Sequence, residues 1–74
     1  MLTADTITDE QIRDLRASSK DGIATVSAYY SAAYVRTVCN NALDVDGMRG
    51  DIIEAKARAI CAEILNARAK SVRP

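Results

Sequence analysis

The sequence contains no histidine, no tryptophan and no phenylalanine. Without histidine, the side chain that most often acts as a general base near neutral pH is missing, and neither cysteine has the usual partner that activates a thiol nucleophile. The two cysteines are also not spaced as CxxC, so a zinc site is not expected. Since no glycine-rich phosphate loop is present either, we predict a protein that is not an enzyme and holds no metal and no cofactor.

One acidic loop resembles a calcium site but lacks two residues that such a site requires. In the stretch DVDGMRGDIIEA, residues 44–55, an EF-hand that began at Asp44 would need glycine at position 49 and glutamate at position 55. The chain has Arg49 and Ala55 there. We therefore interpret Asp44 and Asp46 as loop and capping residues.

The first helix has a clear start signal. Thr8 and Gln11 form a T-x-x-Q capping box, in which each side chain hydrogen-bonds the other residue's backbone amide. The pattern predicts a helix over residues 9–18 that buries Ile12 and Leu15.

The second helix is predicted over residues 23–43, because this segment has no glycine or proline and is rich in alanine. A strand over residues 23–31 is the alternative, since isoleucine, threonine, valine and tyrosine occur together there. On a continuous helix, one face carries the expected core residues. These are Ala24, Ala28, Ala32, Val35, Val38, Cys39, Ala42 and Leu43.

The third helix is predicted over residues 51–70, where Asp51 and Glu54 form a second capping box after a two-glycine loop. Its expected core face carries Ile53, Ala57, Ile60, Cys61, Ile64 and Ala67, with Leu65 at the margin. The alanines at positions 55, 59 and 62 lie on the opposite side. Together the three segments predict an all-α three-helix bundle, a single domain over residues 1–74 with frayed termini.

The two cysteines fall on the expected core faces of the second and third helices. Free cysteine behaves as a small apolar residue, so we expect Cys39 and Cys61 to be buried, reduced thiols. A disulfide is the alternative if these two helices touch.

The chain also lacks net charge, because ten basic side chains balance ten acidic ones. A neutral protein has no overall field that draws it to nucleic acid or to an anionic membrane. Asp51 and Glu54 stand where a helix-turn-helix protein would approach DNA phosphates. No apolar run has the length of a membrane span or resembles a signal peptide, so we expect a cytoplasmic protein that binds neither nucleic acid nor membrane.

The three tyrosines are the only aromatic residues, and all lie between positions 29 and 34. On a continuous second helix, Tyr29 and Tyr30 fall outside the core face, beside Arg36 and Asn40. They either pack on a second face against the first helix or form an exposed patch. Tyrosine and arginine are enriched at protein interfaces. We therefore predict that Tyr29, Tyr30, Tyr34, Arg36 and Asn40 bind a partner protein.

Three stretches, ITDEQIRDLRA (7–17), CNNAL (39–43) and ARAICAEILNARA (57–69), resemble a diffuse group of small proteins encoded by bacteriophages and other mobile elements of proteobacteria. The resemblance implies a phage or prophage accessory protein in the bacterial cytoplasm. Small proteins from this setting often block the surface of one host protein, as anti-CRISPR proteins do. The expected partner is therefore a host bacterial protein such as a CRISPR-Cas component. A homodimeric regulatory or structural module is the alternative, since a chain of this size has a thin core.

Overall fold

The computed structural model describes residues 1–19, 30–44 and 51–71, and these residues contain three α-helices and no strand. The helices are α1 (Asp9–Ser19), α2 (Ala32–Leu43) and α3 (Asp51–Ser71). α2 packs against both other helices, whereas α1 and α3 touch each other over a smaller region. The predicted all-α three-helix bundle is therefore confirmed.

α1 begins where its capping box predicts. The Thr8 amide donates to Oε1 of Gln11 at 2.9 Å, and the Gln11 amide donates to Oγ1 of Thr8 at 3.1 Å. Ile7 and Ile12, on either side of the cap, are both buried in the core. The helix ends at Ser19, one residue later than predicted, and the Ser19 hydroxyl donates to the Arg16 carbonyl at 2.8 Å.

The N-terminal segment ahead of α1 was expected to fray but is held against α3. The Leu2 amide donates to Oδ1 of Asn66 at 2.9 Å, and Nδ2 of Asn66 donates back to the Leu2 carbonyl at 2.8 Å. Further along, Nη2 of Arg58 donates to the Ile7 carbonyl at 2.7 Å. Residues 1–8 therefore form an additional packing element that periodicity alone does not reveal.

α2 begins at Ala32, so the predicted start at residue 23 is wrong. Tyr30 lies in a bend, and Ser31 is extended, with φ −77° and ψ 160°. The Ser31 hydroxyl accepts a hydrogen bond from the Tyr34 amide at 3.1 Å, which satisfies one of the amides that a first helical turn leaves without a partner. Residues 23–29, on which the strand alternative also depended, lie outside the described residues.

The C-terminal end of α2 confirms the interpretation of Asp44 as a capping residue. The backbone of Asp44 has the left-handed helical conformation, with φ 56° and ψ 37°, and its amide donates a hydrogen bond to the Asn40 carbonyl. Aspartate is one of the few residues other than glycine that adopt this conformation. Asp46 lies outside the described residues.

The predicted core face of α2 is confirmed along the helix that forms. Its buried residues are Val35, Val38, Cys39 and Ala42. Ala32 and Leu43, at its two ends, are half-buried. The predicted core positions Ala24 and Ala28 lie outside the described residues.

The core face of α3 is rotated relative to the prediction. Ala57, Cys61 and Ile64 are buried as expected and Ile60 is half-buried, but Ile53 and Ala67 are exposed. These last two positions were therefore wrongly assigned to the core.

The rotation has a physical cause in the N-terminal segment. Ala62, assigned to the solvent side, is buried because it lies one turn from both Arg58 and Asn66, the residues that contact the N-terminal segment. Packing on that side turns the row of Ile53, Ile60 and Ala67 toward solvent.

Candidate protein-binding surface

Two of the three tyrosines form a stacked pair beside α3. The rings of Tyr30 and Tyr34 lie with their centroids 5.3 Å apart and their planes inclined by 8°. The Tyr30 hydroxyl donates to Oε1 of Glu63 at 3.0 Å. The residue that precedes α2 is thereby attached to the middle of α3, and its ring supports that of Tyr34.

The hydrogen bond to Glu63 also affects the ionisation of Tyr30. Because the Glu63 carboxylate accepts a hydrogen bond from the neutral phenol, this hydrogen bond raises the pKa of Tyr30. Burial and the negative charge of Glu63 raise the pKa further. Tyr30 therefore remains a neutral donor throughout the physiological pH range.

Tyr34 borders a shallow groove of about 250 Å³ between α2 and α3, which we call the α2–α3 groove. Its lining residues are Tyr34, Thr37, Val38, Asn41, Ile53, Lys56, Ala57 and Ile60. Tyr34 is 42% exposed and Ile53 is 47% exposed. The groove is therefore lined by an exposed large ring and an exposed branched aliphatic side chain.

A second concavity, of about 300 Å³, lies on the other side of α2 and is lined by Arg13, Arg16, Ala17 and Arg36. We call it the arginine cavity. Nε of Arg16 donates to Oδ1 of Asn40 at 2.6 Å, so Asn40 holds the Arg16 side chain in position across the α1–α2 interface. Three guanidinium groups give this concavity a positive character.

The residues predicted to bind a partner do not form one surface. Tyr34 and Arg36 are two positions apart, which places them about 160° apart around the helix axis with buried Val35 between them. Tyr30 and Tyr34 belong to the side of the α2–α3 groove, whereas Arg36 and Asn40 belong to the side of the arginine cavity. Tyr29 lies outside the described residues.

Sequence reasoning missed Ile53 as a surface residue, because the apolar periodicity of α3 assigned it to the core. The hydrogen bonds of Arg58 and Asn66 to residues 1–8 accompany the change of buried face, and the pattern of residues within α3 does not indicate them.

Within the described part of the chain, no group of three or more histidine, cysteine, aspartate or glutamate side chains is arranged to hold a metal ion. None of the helices described is both long enough and apolar enough to cross a membrane. Comparison of the chain with protein-family models, with curated proteins and with solved structures found no match.

Proposed function

We propose that this chain is a non-enzymatic interaction protein of the bacterial cytoplasm that binds a host protein through the α2–α3 groove and blocks its surface. The observation that carries this proposal is the exposure of Tyr34 and Ile53, at 42% and 47%, on adjacent walls of one groove. A small domain has few large apolar side chains, and placing two of them in solvent lowers its own stability. Binding by a partner recovers the apolar burial that folding leaves unused.

The groove is preorganised for binding. Tyr34 belongs to a regular helix, its ring is stacked on Tyr30, and Tyr30 is hydrogen-bonded to Glu63 of α3. A ring that is already ordered loses little conformational entropy when a partner covers it, which is one reason why tyrosine often dominates binding energy.

The composition of the groove also fits a protein partner. Its lining combines the apolar side chains of Val38, Ile53 and Ile60 with the polar side chains of Thr37 and Lys56. Protein interfaces also combine apolar and polar side chains.

The groove is expected to be the centre of a larger contact. A standard interface buries roughly 800 Å² on each partner, which is about one sixth of the 4920 Å² accessible surface of this chain. Adjacent exposed residues of α2 and α3 are therefore expected to contribute the rim.

The resemblance to small phage and mobile-element proteins indicates what kind of partner to test. It favours a host defence protein, for which a CRISPR-Cas component is the first candidate. The mechanism proposed is steric blocking of the partner's own substrate or assembly surface.

The experiment compares four forms of the chain as immobilised bait in a proteobacterial lysate. These are the wild type, Tyr34→Ala, Ile53→Ala and the control Arg13→Ala, whose exposed side chain lines the arginine cavity. We expect one host protein to be retained by the wild type and by Arg13→Ala, and lost with both groove variants, while circular dichroism shows that all four are folded. The purified chain should then inhibit that host protein. Equal retention by all four baits, or a loss confined to Arg13→Ala, would contradict the proposal.

A homodimer is the second candidate, because the exposed Ile53 and Tyr34 could also be covered by a second copy of the chain. Sedimentation across the micromolar range distinguishes the two proposals. A homodimer predicts association that Ile53→Ala weakens, whereas a strict monomer at every concentration excludes it.

A further inference from the structure

The two cysteines meet inside the core at the interface of α2 and α3. The sulfur atoms of Cys39 and Cys61 are 3.9 Å apart, and both residues are 0% exposed. Both are free thiols. Their predicted burial is therefore confirmed, and the helix contact that a disulfide requires is present.

The distance leaves only a small movement between the dithiol and a covalent bond. A disulfide has a sulfur–sulfur length of about 2.05 Å, so each sulfur needs to move by roughly 0.9 Å. Rotation about the side-chain bond of each cysteine moves its sulfur by distances of this order.

We propose that Cys39 and Cys61 form an oxidation site at which a peroxide converts the dithiol into an intramolecular disulfide that joins α2 to α3. This proposal is independent of the proposed binding function, since it concerns the core and not the α2–α3 groove.

The reaction consumes one peroxide and produces two waters. The Cys39 thiolate attacks one oxygen of hydrogen peroxide, the O–O bond breaks, and the departing hydroxide combines with the thiol proton to form the first water. Cys39 is then a sulfenic acid. The Cys61 sulfur attacks the Cys39 sulfur, the S–O bond breaks, and the hydroxyl group leaves with the Cys61 proton as the second water. The two sulfurs have together lost two electrons, which reduce the peroxide.

The two sulfurs share one hydrogen bond, of which either atom can be the donor. With the Cys61 thiol as the donor, this bond lowers the pKa of Cys39 and the positive charge of Arg16 lowers it further, whereas burial raises it. In the same arrangement, the hydrogen bond and burial raise the pKa of Cys61. Cys39 then reacts first and Cys61 resolves the sulfenic acid, and the same disulfide forms if the two thiols exchange roles.

Burial determines which oxidants and products are expected. With both sulfurs fully covered, oxidation depends on brief local opening of the core, which admits a small peroxide far more readily than a bulky disulfide reagent. Once Cys39 is oxidised, Cys61 is already in contact with it. The internal disulfide should therefore form before further oxidation to the sulfinic acid or cross-linking to a second chain.

The disulfide should also stabilise the fold. It closes a loop between residues 22 positions apart in the chain, which restricts the unfolded state. For a domain of this size, the expected rise in melting temperature is on the order of 10 °C.

The test treats the reduced, folded, full-length chain with hydrogen peroxide, removes the oxidant, and alkylates all remaining thiols under denaturing conditions. We expect intact-mass measurement to show a monomer that has lost two hydrogens and carries no alkyl group, and a reductant to restore both thiols. Reversal by the reductant separates this product from oxidised methionine, which that treatment does not reduce. Two alkylated cysteines, a sulfinic acid as the main product, or a disulfide-linked dimer would overturn the proposal.

Melting of the wild-type protein gives a second readout that needs no variant. The melting temperature should rise on oxidation and return to its original value after reduction, and an unchanged or lower value would overturn the expected stabilisation. In Cys39→Ala or Cys61→Ala, the remaining thiol has no partner cysteine. Peroxide should therefore oxidise it to higher oxidation states and should not produce a rise in melting temperature that a reductant reverses.

Discussion

Arg58 connects the N-terminal part of the protein to α3, and its removal should be costly. Nη2 of Arg58 donates to the Ile7 carbonyl at 2.7 Å, and Nη1 lies 2.8 Å from Oδ1 of Asp9 and 4.0 Å from Oε2 of Glu54. The Arg58 side chain is only 19% exposed, whereas that of Asp9 is 55% exposed. The bond to the Ile7 carbonyl is therefore expected to contribute more than the ion pair.

The two contributions give the expected size of the effect. A hydrogen bond from a charged donor contributes about 1.5–3 kcal/mol, and an exposed ion pair adds about 0.2–1 kcal/mol. Arg58→Ala should therefore lower the free energy of unfolding by about 2–4 kcal/mol. This is a large part of the roughly 4–11 kcal/mol expected for a chain of 74 residues.

Urea denaturation followed by circular dichroism measures this loss. Arg58→Lys is the matched variant, because it keeps the charge but lacks the planar fork that reaches two acceptors, so we expect an intermediate loss. Combining Arg58→Ala with Asp9→Ala isolates the ion pair, whose coupling should not exceed about 1 kcal/mol. Arg13→Ala is the exposed control. The reasoning is refuted if Arg58→Ala unfolds within about 0.5 kcal/mol of the wild type.

Two further predictions concern the start of α1 and the tyrosine pair. Thr8→Ala should lower the free energy of unfolding, measured by urea denaturation, by about 1 kcal/mol because it removes the capping hydroxyl. Thr8→Ser keeps a hydroxyl and should therefore retain most of this stability. Equal losses in the two variants would contradict the role of the cap. The pKa of Tyr30 is raised in the folded state above its ordinary value of 10.0. The stability that its hydrogen bond to Glu63 contributes is therefore present below pH 10.0, and it is lost as the pH rises through the folded pKa. Phenolate absorbance should show a tyrosine that ionises at raised pH in the wild type and not in Tyr30→Phe. Identical pH profiles of stability for the two proteins would contradict the role given to the hydrogen bond between Tyr30 and Glu63.

Local signals in the sequence predicted much of the fold. The capping box of Thr8 and Gln11 determines the start of α1 through contacts between residues three positions apart, so it requires no knowledge of the tertiary structure. The buried face of α2 also follows from periodicity, because α2 packs against both other helices and its apolar stripe, which includes Val35 and Cys39, is buried.

The start of α2 was missed because the absence of glycine and proline was taken as evidence of helical continuity. Ser31 has a strong preference for the N-cap position, and its hydroxyl competes for the Tyr34 amide that a continuous helix would direct elsewhere. A serine within an alanine-rich segment can therefore determine where a helix begins.

The residues that line the proposed binding surface were predicted only in part, because the composition of the α2–α3 groove depends on contacts between distant residues. Ile53 is exposed because the face of α3 that carries Arg58 and Asn66 packs against residues 1–8. Periodicity within α3 alone cannot show this arrangement. Arg36 and Asn40 were grouped with the tyrosines because a continuous helix from residue 23 would place them beside Tyr29 and Tyr30. In the helix that forms, Arg36 and Asn40 lie on the side of α2 that faces the arginine cavity.

The claim on which the account depends is that the α2–α3 groove is open apolar surface and not part of the core. The most direct test is the free energy of unfolding of Ile53→Ala compared with that of Ile64→Ala, since both variants make the same truncation in the same helix. Ile64 is 0% exposed and Ile53 is 47% exposed. We predict a loss of about 2–5 kcal/mol for Ile64→Ala and of about 1 kcal/mol or less for Ile53→Ala. Equal losses in the two variants would mean that Ile53 is buried in solution and would contradict the account.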